Sequence, residues 1–297
     1  THYKQGDIAT ITAEVDAVYL AAATKIKAAI EADLPKLASE EGAFIRVLLG
    51  DVAKGAEIKS TAIAWADIAA KPIAGSTLGQ LADALGVNNA VDVVAETQRA
   101  LEQGKSLDEL VRTLRGDVVT RAKWAGGKYI PGVYEGGVMT TDTRQTEMFA
   151  RTAVMHVGNA AREAYYKANE DIIKGYQRVE TLDERTCIEC GVEDGHVYDV
   201  GAPRPFLPCH ANCRGLYVPV LKSYRELGYD IDELPAGTRA SMDGQVPRYK
   251  TWRDVVAEAD AKRQDAILGP TRAALYRGGM KLDEFIKDGK LVPLKEL

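Results

Sequence analysis

The sequence predicts a mainly α-helical chain with a small α+β domain at its C-terminal end, where a short β-hairpin element is stapled by a cysteine knuckle. Three observations carry that expectation. Apolar residues of the N-terminal part recur every three or four positions, the period of an amphipathic helix. A Gly- and Pro-containing break separates that part from a second long helical pattern. All four cysteines then fall between Cys187 and Cys213, among short runs of strand-like composition.

The N-terminal pattern is clearest from about Ile11 to Leu37, where Val15, Val18, Tyr19, Ala22, Ile26, Ala29 and Ile30 mark one side. Similar patterns run over Ile58–Ala70, Gly79–Leu85 and Ala90–Leu101. Ser106-Leu107-Asp108-Glu109 has the form of a capping box opening a further helix. Small side chains bury little area each, so such helices gain from flat packing, against partner subunits or within their own bundle. Residues 1–125 are assigned to an Ala-rich helical N-terminal region. Residues 126–140, with Gly126-Gly127, Pro131 and Gly136-Gly137, read as a Gly-rich linker or loop, and 141–297 as the C-terminal domain.

That domain opens with a helix expected over Thr143–Ala168, capped by Thr141 or Thr143, with Phe149, Val154, Val157, Ala161 and Tyr165 along one side. His156 on this helix reads as a packed or solvated residue, not a ligand. Gly175 is the expected stop of the helical stretch. Strands are expected over Tyr176–Thr181, His196–Val200 and Leu216–Val220, and Trp252 is the expected core anchor of the last helices. The charges from Lys281 to Lys290, and those at Arg225, Glu226, Asp230, Asp232 and Glu233, read as exposed surface.

Composition sets broad limits. The 297 residues carry 38 Lys+Arg against 43 Asp+Glu, a formal charge of -5, which argues against a dedicated duplex-DNA binder. No apolar run reaches the roughly 18 residues of a membrane helix, and Thr1-His2-Tyr3-Lys4-Gln5 lacks a signal-peptide pattern. The expectation is a protein made in the cytosol without a membrane partner.

The chemistry concentrates in Thr186-Cys187-Ile188-Glu189-Cys190 and Pro208-Cys209-His210-Ala211-Asn212-Cys213-Arg214. A Cys-x-x-Cys turn sets two thiolates on one side of a tight loop, and a second pair about twenty residues later closes a tetrahedral shell. In a reducing compartment this clustering favours a metal over two disulfides, and thiolates with an imidazole select zinc. Cys187, Cys190 and Cys213 are three ligands. Either Cys209 or His210 is the fourth, because adjacent loop residues rarely both face one small ion. A filled shell of this kind is structural, not hydrolytic.

At these residues the chain resembles the Mu F-like minor head proteins, the phage head morphogenesis family. The resemblance lies in Thr181-Leu182-Asp183-Glu184-Arg185-Thr186-Cys187, Cys190, Gly195 and the Pro208–Arg214 element. Ala150-Arg151-Thr152 with Asn159-Ala160-Ala161-Arg162 is similar to the family's helix before the knuckle. Ile267–Arg272, Leu275 and Gly278-Gly279, entered through Trp252, resemble its terminal helix and turn, so the resemblance spans about 140–297. Three positions depart from the pattern: Gly215 stands where the family often has its last cysteine, Ala211 replaces a proline, and Cys209 occupies a usually variable position. The family pattern favours His210 with Cys213. The resemblance implies a few copies in the head interior of the virion, near the portal vertex. It further implies the portal and other capsid proteins as partners, and a role in head assembly or genome ejection.

Two other classes are weighed against it. A zinc nuclease or toxin needs a general base and an open metal or phosphate site, for which Glu193, Asp194 and His196 are candidates in what reads as a solvated hairpin. The chain has no Walker loop, His-Glu-x-x-His or Gly-x-Ser-x-Gly, so no enzyme is expected. A nonspecific nucleic-acid module, which in a phage head would touch the packaged DNA, could use Arg178, Arg185, Arg204, Arg214 and Lys222 on phosphates. The opposing expectation is that Arg185 and Arg214 brace the metal loop through backbone carbonyls while the others are solvated.

Overall fold

The computed structural model describes residues 5–53, 57–59, 61, 64–73, 75–84, 99, 103, 109, 112–113, 116–120, 123–125, 128–130, 133–136 and 138–297. About half of the chain is helical, and the strands pair into small antiparallel sheets. Contacts gather into two compact units, one of residues 1–38, 64–157 and 210–212, the other of 39–63, 158–209 and 213–297.

Helix α1, Gln5–Ala53, continues through Pro35, well past the pattern ending at Leu37. In the first unit Leu34 and Ala38 of α1 are buried, as are Ile68 of α2 (Trp65–Ala70), Ile73, Leu78 and Ala82. Helix α3, over 78–84, opens with a reciprocal cap: Thr77 N–H donates to Gln80 Oε1 at 2.9 Å and Gln80 N–H to Thr77 Oγ1 at 3.3 Å. Within 116–136, β1 (Gly116–Thr120) pairs antiparallel with β4 (Val133–Gly136), and β2 (Lys123–Ala125) with β3 (Lys128–Ile130). Two of these strands fall in the segment read as Gly-rich linker. The helical patterns expected over Ala90–Leu101 and from Ser106 fall, isolated positions apart, outside the described residues.

The long helix α4, Val138–Ala168, begins before Thr141 and Thr143, which therefore lie inside it and are not its caps. Phe149, Ala153, Val157, Ala160, Ala161 and Tyr165 are among its buried positions, whereas Val154 is 46% exposed. Ala153 lies four residues from Phe149 and takes the inward place that Val154 was expected to hold. His156 is buried with Nε2 3.1 Å from the Ile68 carbonyl oxygen, a packed helix residue as expected.

The second unit is built on the sheet β6-β5-β7, with β5 (Ile173–Val179) between antiparallel β6 (Val197–Asp199) and β7 (Leu216–Leu221). These are the three strand-like runs of the sequence. Ile45 and Leu49 of α1, Tyr165 and Tyr166 of α4, and Tyr176 and Tyr217 of the sheet form its first core. Trp252, Val255, Val256, Leu268 and Phe285 form its second, where Trp252 is fully buried as the expected anchor. Helix α6 (Trp252–Glu258) opens on a capping box of Thr251 and Asp254, α7 (Ala261–Leu268) on Asp260, and α8 (Pro270–Arg277) on a proline.

Asn169, not Gly175, ends α4. Its buried carboxamide donates to the Tyr165 carbonyl at 2.9 Å, and it both accepts from Lys59 N–H at 2.8 Å and donates to Lys59 O at 3.0 Å. Those two bonds engage both backbone groups of Lys59, and at the described positions of Ile58–Ala70 the helix is confined to Trp65–Ala70. Gly175 lies in β5, where a Cβ would meet the Tyr198 carbonyl oxygen at 2.9 Å. Its absent side chain lets β6 close on β5.

Candidate metal centre

The first cysteine turn follows the end of β5. Cys187 is the N-cap of α5, a single turn at Ile188–Gly191, and its carbonyl accepts from Gly191 N–H at 2.8 Å. That turn brings Cys187 and Cys190 together, with Cys190 buried. It can form because position 191 is glycine: a Cβ there would overlap the indole of Trp252. Thr186 Oγ1 donates to the Thr181 carbonyl, and Asp183 takes Thr186 Oγ1 and both terminal nitrogens of Arg214. Arg214 thus ties the second cysteine segment to the first through a carboxylate, where backbone carbonyls were expected. This pairing holds the Asp183 carboxyl below its ordinary range.

The second segment carries Asn212 at φ 59, a left-handed conformation that asparagine tolerates better than most residues. The turn delivers Cys213 to a buried position with Sγ 3.9 Å from Cys190 Sγ. A tetrahedral ion with Zn–S bonds of about 2.3 Å requires sulfurs about 3.8 Å apart, so the Cys190–Cys213 pair has the spacing of two ligands, although Cys213 falls outside the group whose donor atoms all lie close together. Among the described residues, the donor atoms of Cys187, Cys190 and His210 all lie within 4.8 Å of one another. His210 Nδ1 lies 2.8 Å from the Ala211 carbonyl oxygen. A carbonyl only accepts, so Nδ1 carries the proton and Nε2 keeps the lone pair a metal needs. None of the four cysteines is in a disulfide. Cys209 is exposed and within hydrogen-bonding reach of the Phe206 carbonyl, at 3.7 Å.

The sulfurs lie close enough to act on one another. Hydrogen bonding with Cys190 and Cys209 holds Cys213 far below the ordinary thiol range. Cys190 is pushed far up by hydrogen bonding with Cys187 and Cys213 and by burial. Cys209 is raised for the same kind of reason, Cys213 first. Thiols packed this closely lose further protons most readily to a cation, the condition under which a soft divalent ion is taken up.

Beneath the sulfurs lies a pair that was not anticipated as such. Arg178 and Glu180 are buried and joined Nε to Oε1 at 2.6 Å. Arg178 had been weighed as a phosphate contact or a solvated residue; the structure excludes both exposures. Burial and the charge near Cys213 raise Glu180 to about 7, against the opposing pull of Arg178. The residues sit two apart on an extended chain and so share a face. That spacing of opposite charges on one face of a strand-like run was the signal available in the sequence. Glu180 also accounts for Gly215: a Cβ at 215 would overlap its carboxylate, so the cysteine often found there has no room.

The other residues weighed for chemistry are committed within the fold. Asp194, read as part of a solvated hairpin, is buried and accepts from Glu180 N–H, Trp252 N–H and Arg239. Glu193 accepts from Tyr198 OH at 2.6 Å, and the His196 ring packs 4.4 Å from the Tyr198 ring. Arg204 pairs with Glu163 and lies 3.8 Å over the Tyr176 ring. Lys222 donates to the Asp171 carbonyl, while Arg185 is largely exposed, 3.9 Å from Asp183. No described helix is long and apolar enough to cross a membrane.

Comparison with curated proteins and with solved structures gives no match. A family model does match, over residues 92–217. That span takes in α4, the three-stranded sheet as far as Tyr217 and both cysteine segments, and it leaves out the terminal helices that also resembled the family. The stretch of chain that builds the candidate metal centre is a match to the phage Mu protein F like family, the one its cysteine elements resemble.

Proposed function

We propose that the chain is a phage minor head protein, present in few copies inside the capsid near the portal vertex. There it contacts the portal and other capsid proteins and acts in head assembly or genome ejection. The observation that carries this reading is the match of residues 92–217 to the phage Mu protein F like family. The role is structural, not enzymatic. Glu193, Asp194 and His196 support no hydrolytic alternative, since Asp194 is consumed by four donors and the other two pack on Tyr198.

Within this reading the Cys/His group is a structural zinc site held by Cys187, Cys190, His210 and Cys213, with Cys209 the alternative to His210. A zinc ion there supplies a cross-link between the two cysteine segments. The chain's own residues orient it: the α5 turn sets the first pair, Asn212 turns the second inward, and Asp183–Arg214 holds the two segments together. Packaged DNA is a nonspecific neighbour at most, because four of the five basic residues weighed for phosphate contact have partners inside the fold.

Quantitative mass spectrometry of purified phage particles tests the proposal. A low, fixed ratio of this chain to the portal protein is expected. Absence from mature particles overturns the virion role.

A further inference from the structure

We propose that Arg178 is the positioning residue of the metal centre, its guanidinium holding Cys190 and Cys209 from beneath while Glu180 fixes its direction. The inference rests on the metal reading above and adds a residue to it. Arg178 is 2% exposed, so its charge must be satisfied inside the protein. Nε is spent on Glu180 at 2.6 Å; Nη2 then points at Cys190 Sγ at 3.4 Å and Nη1 at Cys209 Sγ at 3.7 Å. The backbone is equally fixed, since Arg178 N–H donates to the His196 carbonyl at 2.8 Å and its own carbonyl accepts from Gly195 N–H at 2.9 Å. A planar fork anchored at its base therefore spans one sulfur from each cysteine pair.

Neutral thiols are weak acceptors, and a buried guanidinium aimed at two of them is better matched to thiolates. Its directed N–H groups hold the Cys190 sulfur, and the Cys209 sulfur where that residue takes the place of His210, in the orientation an ion would need. Glu180 is the orienting partner: without it the fork could rotate about its long stem and leave the sulfurs. Lysine could not replace this arrangement, because a single ammonium offers one point charge where two directed donors are needed.

The test measures zinc affinity of the full chain by chelator competition, and the thiolate-to-cobalt charge-transfer band after cobalt substitution. Arg178→Met is expected to weaken zinc binding about 10- to 100-fold and to shift the cobalt band, with Arg178→Lys recovering only part of the loss. Glu180→Gln, which keeps the shape, is expected to give a smaller loss in the same direction. If Arg178→Met does not fold, Arg178→Lys and Glu180→Gln carry the test, and wild-type affinity and spectrum in both overturn the proposal. Wild-type affinity and spectrum in a folded Arg178→Met overturn it equally, and leave the metal reading standing. If the wild-type chain itself takes up neither zinc nor cobalt, the metal reading fails and the proposal falls with it.

Discussion

The carboxylate of Asp194 receives both terminal nitrogens of Arg239, each at 3.0 Å, with the Asp194 side chain fully buried. The same two oxygens take the backbone N–H groups of Glu180 and Trp252 at 2.8 Å. One carboxylate therefore ties together the end of β5, the β8 strand (Thr238–Ser241) that carries Arg239, and the start of α6. Replacing Asp194 by alanine leaves a largely buried cation and two buried amides without their acceptor. The expected loss is about 3–5 kcal/mol in urea denaturation. A loss below about 1 kcal/mol would contradict this account.

Metal removal should act locally. Purified under reducing conditions, the chain is expected to hold one zinc, and Cys213→Ser to lose it. Chelation should raise amide exchange in β5, β6, β7 and the two cysteine turns, because binding energy at such a site is folding energy. Exchange unchanged after complete zinc removal would mean that the sheet stands without the ion.

His156 should make stability depend on pH. Burial lowers its pKa, Lys71 adds to the effect, and the Ile68 carbonyl opposes it. The unfolded chain then binds a proton more readily than the folded one. The associated stability is intact above the ordinary value of about 6.5 and declines as pH falls below it toward the lowered folded value. Between about pH 7 and pH 5, the wild type should lose more stability than His156→Gln in parallel denaturation curves. Equal slopes for the two proteins would rule out His156 as the source.

Gly191 should tolerate no side chain. Its missing Cβ leaves room for the indole of Trp252, which is fully buried and cannot retreat. Gly191→Ala is expected to cost about 1–3 kcal/mol by overpacking, read as a lower urea midpoint. A neutral result would show that the α5 turn can shift away from the indole.

The sequence was most legible where short-range rules operate. The runs at Tyr176, Val197 and Leu216 are rich in β-branched and aromatic residues, and they form one sheet. The Cys-x-x-Cys turn and the second cysteine segment were equally plain, since spacing along the chain sets which sulfurs can meet. What stayed hidden depends on distant partners. Asp194 lies in a Gly-containing turn, and turns are normally solvated; only Arg239 and Trp252, remote in sequence, bury it. Asn169 ends α4 through bonds to Lys59 more than a hundred positions away, which no helix-stop rule contains. Arg178 read as surface because arginine usually is. Its burial follows from the sulfurs above it and from Glu180 beside it.

The close approach of Glu180 to Gly215 has a consequence for any related chain aligned with this one. A carboxylate at 180 and a side chain at 215 claim the same space, so the two positions should vary together. Chains with a cysteine at 215 should carry a shorter residue at 180, and chains with glutamate at 180 should carry glycine at 215. The pair thus works as a two-position barcode, sorting knuckles that place a further sulfur there from those that place a carboxylate.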